Sequence, residues 1–472
     1  MNRFAPSKAS RPGGRLQRGA VTSPRASSMR AVGPQSDRRQ TNGQAATAAS
    51  GSLKWPVFLF LISLAIPWII AIGPLRLSAY RLVLIAMIVP CLAMWMSGKA
   101  GRIRLPDIAL VVYCLWCFIS IVTVHGTAFA LEPAGIIFIE TMGAYLLARC
   151  LIRSADDFHA MVLLLYRMVL VLAPFAIIEA YTGRNVLLQI FSTVAPTSPD
   201  IYMDPRWGLR RVHAVFEHPI LFGVIASSVF ALTHLVLGYG RSLPRRWFAT
   251  GIVAFTAFMS LSAGPITALT AQGLLLGWNW ILRNVRQRWK ILTGFFALAF
   301  VAAELLTNRS LPVIFISHFA FDEESAFVRI AIWRYGSESV MNHPLFGIGF
   351  NEWARPPWMT SSIDMFWIID AIRHGLVAEL AIMGAFFGVF LGVAFKQGLD
   401  ERTSAYRTGF LIALTGFFLV GWTVYFWNAA YVLFIFLIGS GVWILDIDAG
   451  EPAARHPKRQ RPNRRTAPRH DT

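Results

Sequence analysis

Apolar runs alternate with short polar interruptions along most of this chain, at a spacing that predicts membrane-crossing helices. About twelve runs approach the ~20 residues that cover ~30 Å of hydrocarbon. They fall at residues 56–73, 77–97, 107–124, 134–151, 158–180, 219–238, 247–263, 265–282, 291–306, 363–395, 407–422 and 424–446. The pattern predicts an all-α polytopic membrane protein whose membrane domain spans residues 55–446. Most connections between runs are short. Two are long, at about 181–218 and 307–362. Within the second, Asp322–Val340 places Phe327, Ile330, Ala331, Trp333 and Val340 among charges at near-helical spacing, which predicts an amphipathic helix lying on the membrane surface. His343-Pro344 should end it, and Gly347 and Gly349 should permit a tight turn beyond.

Composition agrees with the pattern. Hydrophobic residues make up 55% of the chain and charged residues 15%, which excludes an ordinary soluble domain. The net charge of +19 first suggests a nucleic-acid partner, but its distribution argues for none. Lys99, Arg102, Arg104, Arg149, Arg153, Arg241, Arg245, Arg246, Arg283, Arg286, Arg288, Lys290, Lys396, Arg402 and Arg407 all fall on one side of the predicted topology. By the positive-inside rule that side is cytoplasmic, together with both termini. The two long connections then face outward, into the periplasm of a bacterial inner-membrane protein. Residues 1–54 and 447–472 are basic, lack apolar runs and read as disordered cytoplasmic tails. The late first apolar run and its lack of a small-residue cleavage pattern predict no cleaved signal peptide. Basic tails also suit contact with anionic membrane lipids. Cys91, Cys114, Cys117 and Cys150 fall in apolar runs and read as helix packing rather than a metal site.

The candidate chemistry lies in the two long connections. Arg206, Arg210, Arg211, Arg329, Arg334, Arg355 and Arg373 gather on the side where positive charge is otherwise rare. Guanidinium groups are permanently charged and suit bidentate contact with phosphate, so the set predicts a clamp for a lipid-linked pyrophosphate. Asp364, at the start of the 363–395 run, reads either as a helix-capping carboxylate or as a general base toward a sugar hydroxyl. Were the helix continuous, Arg373 and His374 would lie too far along it to share a proton with Asp364. His213 follows an arginine pair and is a candidate phosphate contact. His218 and His343 each precede proline, where a structural turn competes with substrate contact. Inside the runs stand Arg81, Glu140, Arg167, Glu304 and Glu379. Glu140 and Arg167 are candidates to pair, whereas Arg81 and Glu304 lie near run ends, where snorkelling suffices. Glu338 and Arg334, four residues apart, are a further candidate pair.

Five segments together resemble the O-antigen ligase and polymerase superfamily of bacterial inner-membrane glycosyltransferases. They are Arg211-Val-His-Ala-Val-Phe-Glu-His-Pro219, Ser260-Leu-Ser-Ala-Gly-Pro-Ile266, Arg329-Ile-Ala-Ile-Trp333, His343-Pro-Leu-Phe-Gly-Ile-Gly349 and Ile363-Asp-Met-Phe-Trp-Ile-Ile-Asp-Ala-Ile-Arg-His-Gly375. The resemblance implies a GT-C-like helical architecture and an undecaprenyl-pyrophosphate-linked glycan as donor. It implies neither metal nor nucleotide cofactor. By resemblance Arg211 and Arg329 bind the pyrophosphate, with Arg210 and Arg373 as further candidates, and His213, His218, Arg334 and His343 as substrate contacts. Family ligases usually carry histidine where this chain has Asp364, arginine where it has Ala263-Gly264-Pro265, and asparagine where it has Ile220. Those departures favour the exopolysaccharide-polymerase-like branch, with Asp364 as base. The expected activity is polymerisation of lipid-linked repeats at the periplasmic face, with a chain-length regulator as a candidate partner. The alternatives are ligation of the glycan to lipid A core, and flipping or export of the lipid-linked glycan.

Overall fold

The computed structural model describes residues 53–72, 75–306, 311–318 and 323–447. The predicted tails, apart from Leu53, Lys54 and Ile447, lie outside them, as does the side chain of Glu304. Helix dominates. The order is α1 (Trp55–Leu64), β1 (Ile69–Ile72), β2 (Leu75–Ser78), α2 (Ala79–Met96), α3 (Leu105–His125), α4 (Thr127–Leu151), α5 (Ala155–Thr182), α6 (Val186–Ser192), α7 (Pro219–Leu237), α8 (Leu243–Phe258), α9 (Ala263–Ile281), α10 (Arg288–Leu306), α11 (Leu311–His318), α12 (Glu323–Asn342), α13 (Phe366–His374), α14 (Leu376–Phe395), α15 (Glu401–Val420) and α16 (Asn428–Asp446). Among the described residues, eight helices are long and apolar enough to cross a membrane: α2, α3, α4, α5, α7, α14, α15 and α16. The chain is thus a mostly helical membrane protein.

Local chemistry sets many helix ends. Ser154 accepts a hydrogen bond from Asp157 N (3.1 Å) to open α5, and Asp400 accepts one from Thr403 N (3.0 Å) to open α15. Gly183, at φ +70°, closes α5 in the left-handed conformation that glycine adopts without steric cost. One-turn π segments interrupt α4 at Ile139–Gly143 and close α7 at Thr233–Leu237.

Two departures from the sequence pattern matter for the site. The expected all-helical run at 56–73 divides into the short α1 and strand β1. This strand pairs antiparallel with β2, Ile69 opposite Ser78 and Ile72 opposite Leu75. Ile69 N also donates to Pro196 O (2.8 Å), which ties the hairpin to the first long connection. The run at 363–395 is not one helix either. It starts at Phe366, departs from helical dihedrals at Trp367 and breaks again at Gly375, φ +86°.

Contacts join segments predicted to share a side. At the basic end, Asp446 binds Arg104 (2.7 Å) and the buried Arg149 (3.0 Å), Arg402 binds Asp156 (2.6 Å), and Lys54 donates to Leu151 O (2.9 Å). At the opposite end, the first long connection meets β1, and the second meets α3 and the turn between α15 and α16.

Candidate functional site

The amphipathic segment becomes α12, and it ends at Asn342 as the His-Pro step predicts. Its buried side is Ala331, Ile332, Gly336, Ser339 and Val340. At Gly336 a Cβ would meet the Cδ1 of Ile372 at 3.0 Å, so the absent side chain lets α12 approach α13 closely. The turn after α12 folds back on the end of α13. Ile348 N donates to Ile372 O (2.9 Å), Gly349 N to Arg373 O (2.8 Å) and Leu376 N to Pro344 O (2.8 Å). The first two bonds satisfy carbonyls that the end of α13 leaves open, and the third an N–H that the start of α14 leaves open. Trp116 on α3 braces the joint from the other side, its Nε1 donating to Leu345 O (3.0 Å) and His374 O (3.1 Å). Arg373 is thereby held on a fixed platform. Its guanidinium lies over the rings of Phe350 (5.6 Å) and Tyr425 (5.8 Å).

A second assembly forms where α9 begins and α15 ends. Arg211 Nη2 donates to Ser262 Oγ (3.0 Å), Arg206 Nη1 to Leu261 O (2.8 Å), and Arg329 Nε to Thr423 O (3.1 Å). Gly264 joins these anchors, since a Cβ on it would lie 2.8 Å from Val424 Cγ2 and 3.5 Å from Thr423 Oγ1. Arg211 and Arg329 come from different long connections, 118 positions apart by their numbers (329 − 211), and anchor on one corner. His218 stands close by. Its Nδ1 accepts from Ile220 N (3.1 Å) and caps α7, while its ring meets Trp427 edge-on at 5.8 Å. Burial lowers the His218 pKa from 6.5 to about 4; the positive charge of Arg211 adds to the shift and the carboxylate of Asp364 opposes it. Arg211, His218 and Asp364 therefore share an electrostatic neighbourhood.

The turn between α15 and α16 links the two assemblies. Thr423 receives Arg329, Tyr425 faces Arg373, Trp427 faces His218, and Asn428 bridges Arg81 (3.4 Å) and Glu217 (3.1 Å). Asn428 adopts φ +48°, a conformation asparagine tolerates better than most residues. Burial pushes the Tyr425 phenol up to about 12, against the lowering effect of Arg373.

Beneath this turn lies a cavity of about 270 Å³, lined in part by Arg81, Tyr113, Glu140, Asp370, Arg373 and Tyr425. Arg81 and Glu140 form an ion pair at 2.8 Å, to which Tyr80 adds a hydrogen bond of 2.9 Å. Tyr113 donates to Asp370 (3.0 Å). A cavity whose guanidiniums are balanced by carboxylates among aromatic rings suits a polar, hydroxylated ligand.

The remaining expected residues divide. Asp364 is exposed and accepts a hydrogen bond from Ser362. It does not cap α13, whose N-cap is Met365 without a side-chain cap bond. Arg210 and the buried His213 belong to a structural network. Arg210 contacts Asp200 and Gly183 O, while His213 Nε2 meets Asp200 (2.8 Å) and its Nδ1 meets Phe216 O (2.7 Å). Glu179 completes the network by accepting from His213 N (3.1 Å) and Ala214 N (3.0 Å). Arg334 lies exposed over the Tyr335 ring (5.7 Å), without the expected partner Glu338. His343 is exposed at the end of α12. Glu140 pairs with Arg81 and not with Arg167, which is exposed on α5. Arg81 does not snorkel away from its run; it turns to the cavity.

Neither a scan against models of known protein families nor a search of curated proteins matches this chain.

Proposed function

We propose that this chain is a glycosyltransferase of the bacterial inner membrane that joins undecaprenyl-pyrophosphate-linked oligosaccharide repeats into exopolysaccharide, capsule or O-antigen. In this reading about twelve spans form a GT-C-like frame, both termini are cytoplasmic, and the long connections face the periplasm. Arg211 and Arg329 hold the donor pyrophosphate, with Arg373 beside it. The acceptor hydroxyl oxygen attacks the sugar carbon that carries pyrophosphate. The carbon–oxygen bond to pyrophosphate breaks, the polyprenyl pyrophosphate leaves with that bonding pair, and Asp364 takes the hydroxyl proton. No metal is required of these residues.

The observation that carries the reading is the anchoring of Arg211 and Arg329, from separate connections, on one corner beside His218 and the influence of Asp364. Arg210 and His213 drop out of the clamp, because their own network holds them. The test is polymer length and lipid-linked repeat in cells. Arg211→Ala should accumulate single lipid-linked repeats and lose long polymer. Asp364→Asn should reduce polymer by about 10²–10⁴-fold, the usual worth of a general base. Unchanged polymer in Arg211→Ala, at unchanged protein level, would remove the clamp. Transfer to lipid A core in place of another repeat would make the enzyme a ligase. Flipping without transfer has an observation of its own: Glu379 is a buried carboxyl in the first turn of the apolar α14, and buried ionisable residues of spans often mark transport paths.

A further inference from the structure

A second cavity, of about 240 Å³, adjoins the first. Arg81 and Asn428 line both, so the Arg81–Glu140 pair and the Asn428–Glu217 hydrogen bond stand between them. The walls of the second cavity come from the end of α1 and the segment leading into β1 at Ile69, the loop at 198–201 and the segment 215–217. Trp68, Ser78, Tyr80, Ser198 and Glu217 contribute its polar and aromatic lining. Trp68 is held in place, its Nε1 donating to Phe191 O (3.0 Å) and its ring meeting Phe191 edge-on at 5.8 Å.

Glu217 sets the chemistry. Its Oε1 accepts from Asn428, whereas its Oε2 is buried and has no hydrogen-bond partner. A buried acceptor left open is unfavourable, so a ligand that donates to it recovers the lost hydrogen bond. The open group is an acceptor and carries a carboxylate, which disfavours phosphate. The nearest guanidinium, Arg81, is engaged with Glu140. An open carboxylate acceptor, an aromatic face and the hydroxyls of Ser78 and Ser198 are the set that a neutral, polyhydroxylated ring uses.

We propose that this second cavity binds a sugar ring of the acceptor, with Glu217 accepting its hydroxyl protons and Trp68 packing against its apolar face. The inference rests on the glycosyltransferase reading and deepens it. Donor pyrophosphate goes to the arginine corner and acceptor sugar to the second cavity, which Arg81 and Asn428 share with the first.

The test uses the full chain in detergent, carrying Ile201→Cys on the cavity wall. Ile201 is 37% exposed, while the four natural cysteines are buried, so the introduced thiol should dominate alkylation by a soluble maleimide. The probes are octyl glycosides of glucose, galactose, mannose, rhamnose and N-acetylglucosamine, with sodium pyrophosphate in a separate arm. At least one glycoside should slow alkylation, and pyrophosphate should not. Adding Glu217→Gln should weaken that protection about tenfold or more, the worth of one hydrogen bond to a charged group. Trp68→Ala should weaken it independently. Protection by pyrophosphate, by no glycoside, or equally in Glu217→Gln would overturn the assignment. The glycosyltransferase reading fails by a different readout, unchanged lipid-linked repeats in Arg211→Ala cells, so the two failures are distinguishable.

Discussion

His218 caps α7 only while its ring is neutral, because Nδ1 must accept from Ile220 N. Burial and Arg211 lower its folded pKa from 6.5 to about 4. An unfolded chain would gain this proton near 6.5 and the folded chain only near 4. Stability from this group is therefore complete above about pH 6.5, falls as pH drops toward about 4, and levels below. His218→Asn keeps a capping acceptor that does not titrate. Thermal unfolding followed from pH 7 to pH 4 should show a smaller loss in His218→Asn than in the parent; equal losses would remove His218 as the source. At this scale the sequence revealed the permanently charged groups of the two long connections and of the run that follows them, Arg211, Arg329 and Arg373. It hid the partners that make the cavity. Arg81 and Glu140 lie 59 positions apart and Arg81 and Asn428 lie 347 apart, so no local spacing couples them. Asn428 did leave a trace, as a polar residue closing the aromatic run Trp422–Trp427 between two apolar stretches.

The element on which the site depends most is the joint between α13 and α14. Gly375 adopts φ +86°, and a Cβ there would lie 1.9 Å from Leu345 O. Gly375→Ala should destabilise the joint by about 1–3 kcal/mol through strained backbone alone, more with the clash. The measurable result is a lower unfolding temperature with lost polymer; a parental unfolding temperature would show the joint relaxes freely. The single run read at 363–395 missed this break, although its signal stood in the chain. Basic Arg373 and His374 followed by glycine are a helix-stop signal, and 363–395 exceeds one span. The β1–β2 hairpin was not legible, because a short apolar run such as Ile69-Ile70-Ala71-Ile72 has no period that separates strand from helix. That miss concealed the second cavity, which β1 helps to wall.

Across the whole molecule, basic connections meet one another at one end and the arginine corner and both cavities lie at the other. Membrane-crossing character was legible from apolar length, and eight of the twelve predicted runs return as helices long and apolar enough to cross among the described residues; the pairing of distant helices, set by side-chain fit, was not legible. The proposed topology predicts that Tyr202→Cys, an exposed position in the first long connection, reacts with a membrane-impermeant maleimide in intact cells. Lys99→Cys, exposed at the basic end, should react only after the membrane is opened. Reversed labelling would invert the protein and put the site in the cytoplasm. The central claim is that the arginine corner serves glycan transfer. It is tested most directly with purified protein in vesicles supplied with undecaprenyl-pyrophosphate-linked repeats. The account predicts lipid-linked chains of two or more repeats with release of undecaprenyl pyrophosphate, and their loss in Arg211→Ala and Arg329→Ala. Movement of single repeats across the bilayer with no elongation would contradict it.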